Sequence, residues 1–245
     1  MKRYKLTFEY DGSLFFGWQK QPDVRTVEEE IEKALSKLYQ SEIDIIGQGR
    51  TDSGVHAFKQ VAHTDLPEQY SIGKIEHAMN GLLPEDVSLI SIEEVHAEFH
   101  ARFDAVSRSY SYRIASRHTP LYRHLCWSHK KELDEEILDQ CAKMICGERN
   151  FINFCIPSGD EYQTTDCTIT ESRWESEGGF RTYKITGNRF LRHLVRRLVG
   201  TMAKIASGSG ELADFKSLLE LKGETGLQVY TAPAKGLILE DVSYH

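Results

Sequence analysis

Gly49-Arg50-Thr51-Asp52-Ser53-Gly54-Val55-His56-Ala57 joins two apolar stretches, Ile43 to Ile46 before it and Val55 to Ala62 after it. Both stretches have the length and composition of short strands. The residues between them favour a turn, because Asp and Ser side chains bond nearby backbone and glycine accepts positive φ. Upstream, Tyr4-Lys5-Leu6-Thr7-Phe8-Glu9-Tyr10 alternates as a strand with one apolar face does. Thr26 stands where a helix would be capped and Glu29 where a capping box would close. Val27, Ile31, Ala34, Leu35 and Leu38 form the apolar stripe of that helix. Downstream, the pattern predicts a helix over 72–82, stopped at Leu83-Pro84, and a strand over 87–95. The resulting order, β-α-β-turn-β-α-β, is that of a split βαβ unit.

From Asp104 onward the order repeats loosely. Tyr110 to Ala115 reads as a strand, and Asp134 to Cys146 as a helix with Ile137, Leu138, Cys141 and Ile145 inward. Two strands near 167–176 and 181–186 flank Gly178-Gly179, and a long helix is predicted over 188–206. Gly208-Ser209-Gly210 ends it, a short helix follows over 212–222, and Leu237 to Tyr244 reads as a last strand. The expected fold class is α+β, an N-terminal half 1–104 and a C-terminal half 105–245 sharing one sheet, with any ligand between them.

At 245 residues the chain buries a large core. Its apolar runs fall short of a membrane span, and no signal-peptide block follows Met1-Lys2-Arg3, so the expected location is the cytoplasm. Five cysteines without a C-x-x-C pair argue for reduced thiols rather than a disulfide framework or structural zinc. A net charge of −7 argues against a generic nucleic-acid binder. Its distribution points the other way. Between His100 and Lys131 there are seven Lys and Arg residues against Asp104 alone, and Gly187 to Gly208 contains five and no acid. An acidic protein with such segments can still carry a basic groove; the other reading is that these arginines pair with the acidic segments.

Projected as a helix, 188–206 divides cleanly. Phe190, Leu191, Leu194, Val195, Leu198, Val199, Met202 and Ile205 take one half; Arg189, Arg192, His193, Arg196, Arg197 and Lys204 take the other. A solvated face usually mixes signs, so a face without carboxylates suggests phosphate contacts or a buried anionic partner, for which Asp52 is a candidate. A guanidinium beside a carboxylate favours its ionised form and fixes its orientation, as a nucleophile or base requires. Two other readings stay open: Asp52 as a plain turn residue, and Asp52, His56 and His63 as metal ligands, although their spacing matches no standard zinc motif. Tyr110, between Arg108 and Tyr112, suits stacking against an unpaired base. It equally suits a half-buried strand, and Phe15, Phe16 and Trp18 likewise read as core or as base platforms.

Taken together these segments resemble the tRNA pseudouridine synthase A family. The resemblance rests on Gly49-Arg50-Thr51-Asp52-x-Gly54-Val55-His56-Ala57, on Tyr10-Asp11-Gly12 with Phe16-Gly17-Trp18-Gln19, on Asn80 with Leu83-Pro84, and on Phe99-His100-Ala101-Arg102-Phe103. It continues through Arg108-x-Tyr110-x-Tyr112, Gly187-Asn188-x-Phe190, Val195-Arg196 with Gly200, and Ala232-Pro233-x-x-Gly236-Leu237. Leu194 replaces a methionine often found there, Ser53 occupies a variable position, and 116–129 and 157–166 match no motif of the family.

The resemblance implies two ferredoxin-like halves sharing a largely antiparallel sheet, with an active-site cleft between them. It implies isomerisation of uridine to pseudouridine at positions 38, 39 and 40 of the tRNA anticodon arm, by a homodimer, without metal or cofactor. Asp52 would be the nucleophile, attacking either ribose C1′ or uracil C6, and Arg196 its partner. Tyr110 would lie against the base, with Arg50, Arg102, Arg189 and Arg192 as candidates for holding the backbone. The competing readings are a non-catalytic RNA-binding module, a synthase acting at other RNA sites, and metal-assisted hydrolysis.

Overall fold

The computed structural model describes residues 1–156, 164–221, 223 and 225–245. Most of the unmatched stretch 157–166, and Lys222 at the expected end of the last helix, lie outside the described residues. In chain order the first part comprises β1 (Lys2–Tyr10), α1 (Val27–Tyr39), β2 (Ile46–Gly47), β3 (His56–Leu66), α2 (Ile72–Leu82) and β4 (Val87–Glu94). The second comprises β5 (Ser107–Ala115), β6 (Trp127–Ser128), α3 (Glu135–Ile145), β7 (Gly147–Asn150), β8 (Asp166–Glu177), β9 (Phe180–Gly187), α4 (Leu194–Ala206) and α5 (Leu212–Glu220). β10 (Leu237–Ser243) closes the chain. The fold class is α+β, as the alternation of periodicities predicts.

The chain divides into two compact units, Met1–Val106 with Ile238–His245, and Ser107–Leu237. In the first, β1 lies between β4 and β3, antiparallel to both, and β10 pairs in parallel with β3 through Ile238 and Leu239. Leu6, Phe8, Ile31, Leu35 and Met79 form its solvent-free core. In the second, β9 lies antiparallel between β5 and β8, β7 extends β8, and β6 adds a short parallel pair to β5. Tyr112, Tyr183, Phe151, Phe154 and Leu198 are buried there, and α3 packs on β8.

Three sequence expectations are corrected. Thr26 caps α1 by position only, without a side-chain bond, and the capping box does not form. The helix does not need it: the N–H groups of Val27 and Glu28, unpaired at any helix start, donate to the carbonyls of Gly17 and Trp18. Glu29 pairs with Lys33 instead. The strand expected at 43–46 shrinks to Ile46–Gly47, because Ile43 and Ile45 give their N–H groups to Ser36 Oγ and Glu32 Oε1 of α1. Finally, the long basic helix starts at Leu194, six residues late. His193 sits in the left-handed region at φ 65°, which an α-helix cannot accommodate. Asn188 is tied to β8, its N–H to Thr168 O and its Oδ1 to Thr168 N–H, and 188–193 lies outside helix and sheet.

Candidate active site

Asp52 is half-buried in the turn that enters β3. The turn is clamped from one side by residues 10–18. Tyr10 Oη is 2.8 Å from Thr51 Oγ1, and Trp18 N–H donates to Thr51 O. Phe15 O accepts from both Gly54 N–H and Ser53 Oγ. Closure of the turn is local, with Val55 N–H donating to Asp52 O and Gly54 at φ 77°. Gly12 lies so close that a Cβ there would stand 2.0 Å from Val55 O. On the other side Gln60 Nε2 donates to Gly49 O, and Gln48 Nε2 to Gln60 Oε1. Gly49, Thr51, Ser53, Gly54 and Val55 around half-buried Asp52 are thus each held by hydrogen bonds.

His56, 3% exposed, ties the start of β3 to the same loop: its Nδ1 is 3.1 Å from Gly12 N and 3.0 Å from Asp11 Oδ1. Asp11 also accepts from Ser13 N–H, capping a single 3-10 turn over Gly12–Leu14. His63 Nδ1 accepts from Ala101 N–H, and burial, with His100 and Arg3 nearby, holds the His63 imidazole below its usual pKa. Both histidines thus serve backbone groups. Among the described residues no three His, Cys, Asp or Glu side chains are grouped to hold a metal ion. Phe15 and Trp18 are core, each 2% exposed, whereas Phe16 is 58% exposed.

Arg50 is exposed, and so is Arg102, whose guanidinium stands 5.7 Å from the Phe103 ring. These two, with Asp52, belong to the first unit.

The second unit holds the other expected residues. Arg196 occupies the first turn of α4, half-buried, with Nε donating to Ala232 O at 2.9 Å and its own carbonyl accepting from Ala232 N–H. The Tyr230–Pro233 segment lies across α4 at Gly200, where a Cβ would stand 2.3 Å from Tyr230 O. Tyr112 Oη donates to Pro233 O, anchoring the segment to β5. Tyr110 is half-buried, edge-on to Phe190 with centroids 5.0 Å apart. Arg189 is half-buried and Arg192 exposed, but both precede α4 rather than sharing a helical face with Arg196. Arg197 turns to the carbonyl of Cys155.

Sequence periodicity did not indicate the bracing roles of 10–18 and 230–233. The available signal was the pairing of an apolar-polar alternation with glycines at Gly12 and Gly200, places where one backbone must approach another.

The family model described as tRNA pseudouridine synthase matches residues 6–104 and 141–245. The chain is 34% identical to tRNA pseudouridine synthase A of Porphyromonas gingivalis over 248 residues, covering all of this chain and 98% of the relative. It is 37% identical to the protein of that name from Maridesulfovibrio salexigens, covering all of this chain and 91% of the relative. For the Streptococcus mutans protein of that name the identity is 36%, over all of this chain and 99% of the relative. Among solved structures, a Cbf5-Nop10-Gar1 complex aligns with 96% of this chain and 57% of the matched one at 10% identity and TM-score 0.39, a likeness too remote to bear on the site. The chain belongs to the tRNA pseudouridine synthase family.

Proposed function

We propose that this tRNA uridine isomerase acts at positions 38, 39 and 40 of the anticodon arm, with Asp52 as its nucleophile. The observation that supports this reading most is the clamped turn: the backbone around a half-buried carboxylate is fixed by bonds from two sides. Holding a reacting group in place removes much of the entropic barrier to attack.

In the reaction the N1–C1′ bond breaks, the uracil rotates, and C5 joins C1′. The proton on C5 leaves and N1 gains one, so no oxidant, reductant or external energy is consumed. Asp52 attacks either C1′, giving an acylal-type ester, or C6, giving a Michael adduct; both return the carboxylate at the end. Arg196, oriented by Ala232 O, partners the carboxylate. Tyr110 packs against the base. Because C1′ and C6 are hidden in a stacked arm, the uridine is flipped out, at about a few kcal/mol. Arg50, Arg102, Arg189 and Arg192 hold the displaced backbone. The enzyme works as a cytoplasmic homodimer, with tRNA lying across both protomers.

Unmodified tRNA carrying 5-³H-uridine tests the chemistry, since the C5 proton must leave: tritium release into water is expected, and none by the folded, tRNA-bound protein overturns the reading. Mapping pseudouridines in a strain lacking the gene tests the positions. Loss at 38–40 is expected; loss only at other RNA sites supports a synthase of different specificity.

A further inference from the structure

Between Ala105 and Lys131 the chain contains no acidic residue, in a protein whose net charge is −7. Six Lys and Arg residues and three histidines fall in that interval, which lies between the two stretches matched by the family model. Part of it forms a long excursion between β5 and β6, built on fixed anchors. Thr119 is buried, the Tyr122 ring meets Phe180 edge-on at 5.1 Å, and Cys126 Sγ is 3.2 Å from Tyr122 O. Trp127 pairs with Ile114, and His129 N–H donates to Ala115 O.

These anchors present exposed cations with no acid of the excursion itself among them, although at its end Lys130 and Lys131 share a pocket with Glu132, Glu135 and Glu177. Arg117, Arg123 and Lys130 are exposed, and Leu121 at the apex is 89% exposed. The guanidinium of Arg117 bonds His118 O and that of Arg123 bonds Pro120 O, both carbonyls of the same excursion. Among the described residues none of the three cations has a carboxylate partner. Elsewhere surface cations pair routinely, as Lys33 does with Glu29 and Lys216 with Glu220. A protein rich in acids that leaves one ordered excursion free of them has a surface matched to a polyanion.

We propose that residues 116–131 form a phosphate-contacting surface for the tRNA backbone, a contribution to affinity that is separate from the chemical step. The inference rests on tRNA being the substrate. Phosphate contacts release counterions, so they show in the salt dependence of binding.

The test is binding of an unmodified tRNA transcript to the full-length protein across a salt series. Arg117→Gln with Arg123→Gln should weaken binding about tenfold at physiological ionic strength and make the slope of log K against log salt shallower by about two. Lys130→Gln alone should reduce that slope by about one. Lys33→Gln with Lys216→Gln removes the same charge from paired positions and should leave the slope unchanged. The thermal midpoint of each variant identifies any that fails to fold, and Lys130→Gln provides an independent reading. Wild-type slopes in the Arg117/Arg123 and Lys130 variants, or an equal loss in the Lys33/Lys216 control, overturn the proposal. Absence of tRNA binding by the wild-type protein would instead overturn the substrate on which it rests.

Discussion

The turn bearing Asp52 and the helix bearing Arg196 are both braced by a second segment lying against a glycine, but the two braces differ in kind. Around Asp52 a loop meets a turn, and at Gly12 the close neighbour is the Val55 carbonyl at the mouth of β3. Around Arg196 a segment crosses a regular helix, and at Gly200 the close neighbour is Tyr230, in a stretch outside helix and sheet. The first brace sets backbone conformation where the chain has little intrinsic structure. The second is added to a helix that already has its own hydrogen bonds, and ties it at the Arg196 side chain and carbonyl and at the Thr201 hydroxyl. The helix is therefore braced over an already regular backbone, whereas the turn depends on its braces for the conformation of the backbone itself.

The contrast is broken most readily at the glycines. Gly12→Ala puts a methyl group 2.0 Å from a carbonyl held by β3, and should cost about 3 kcal/mol or more in denaturant unfolding. Gly200→Ala puts a methyl group 2.3 Å from the Tyr230 carbonyl oxygen, in a segment bonded to α4, but a gain in helix propensity of about 1 kcal/mol offsets part of the cost, so a net loss of about 2 kcal/mol is expected. Equal losses at the two sites would show that the braces are alike.

A smaller effect separates the units by pH. Burial, reinforced by His100 and Arg3, depresses the His63 pKa in the first unit. As pH falls through the ordinary histidine range, the unfolded chain takes up this proton first. The His63 contribution is therefore complete above that range and is lost as pH falls toward the folded-state value. In the second unit burial pushes the thiols of Cys141 up to about 12 and Cys167 up to about 11, leaving both uncharged near neutrality. The fall in stability from about pH 7 to about pH 5 should thus be reduced in His63→Gln, measured as the denaturation midpoint at each pH. An unchanged fall would remove His63 from the acid sensitivity of the first unit.

Much of the fold was legible because periodicity reports burial. Helix α2 matched its expected span of 72–82, and β9 and α3 differed from expectation only at their ends. The misreadings share a cause: bonds between residues distant in sequence override local pattern. The apolar-basic division of 188–206 is helical in arithmetic, yet the bonds from Asn188 to Thr168 and the left-handed His193 keep its first six residues out of α4. The result separates Arg189 and Arg192 from the helix that carries Arg196. Thr26 and Glu29 have the spacing of a capping box, but Gly17 and Trp18 occupy the helix start with their carbonyls. At the site, the Asp52 segment was recognisable from its turn chemistry. Its bracing by 10–18 was not, since hydrogen bonds such as Trp18 N–H to Thr51 O leave no mark on side-chain composition.

The most direct test of Asp52 as nucleophile is single-turnover tritium release from tRNA labelled at uridine C5, comparing the wild-type protein with Asp52→Asn. Asparagine keeps the size of the side chain and removes its negative charge. The rate should fall by about a thousandfold or more while the tRNA dissociation constant stays within about threefold. Release by Asp52→Asn at a rate near that of wild type would contradict a nucleophilic role for Asp52.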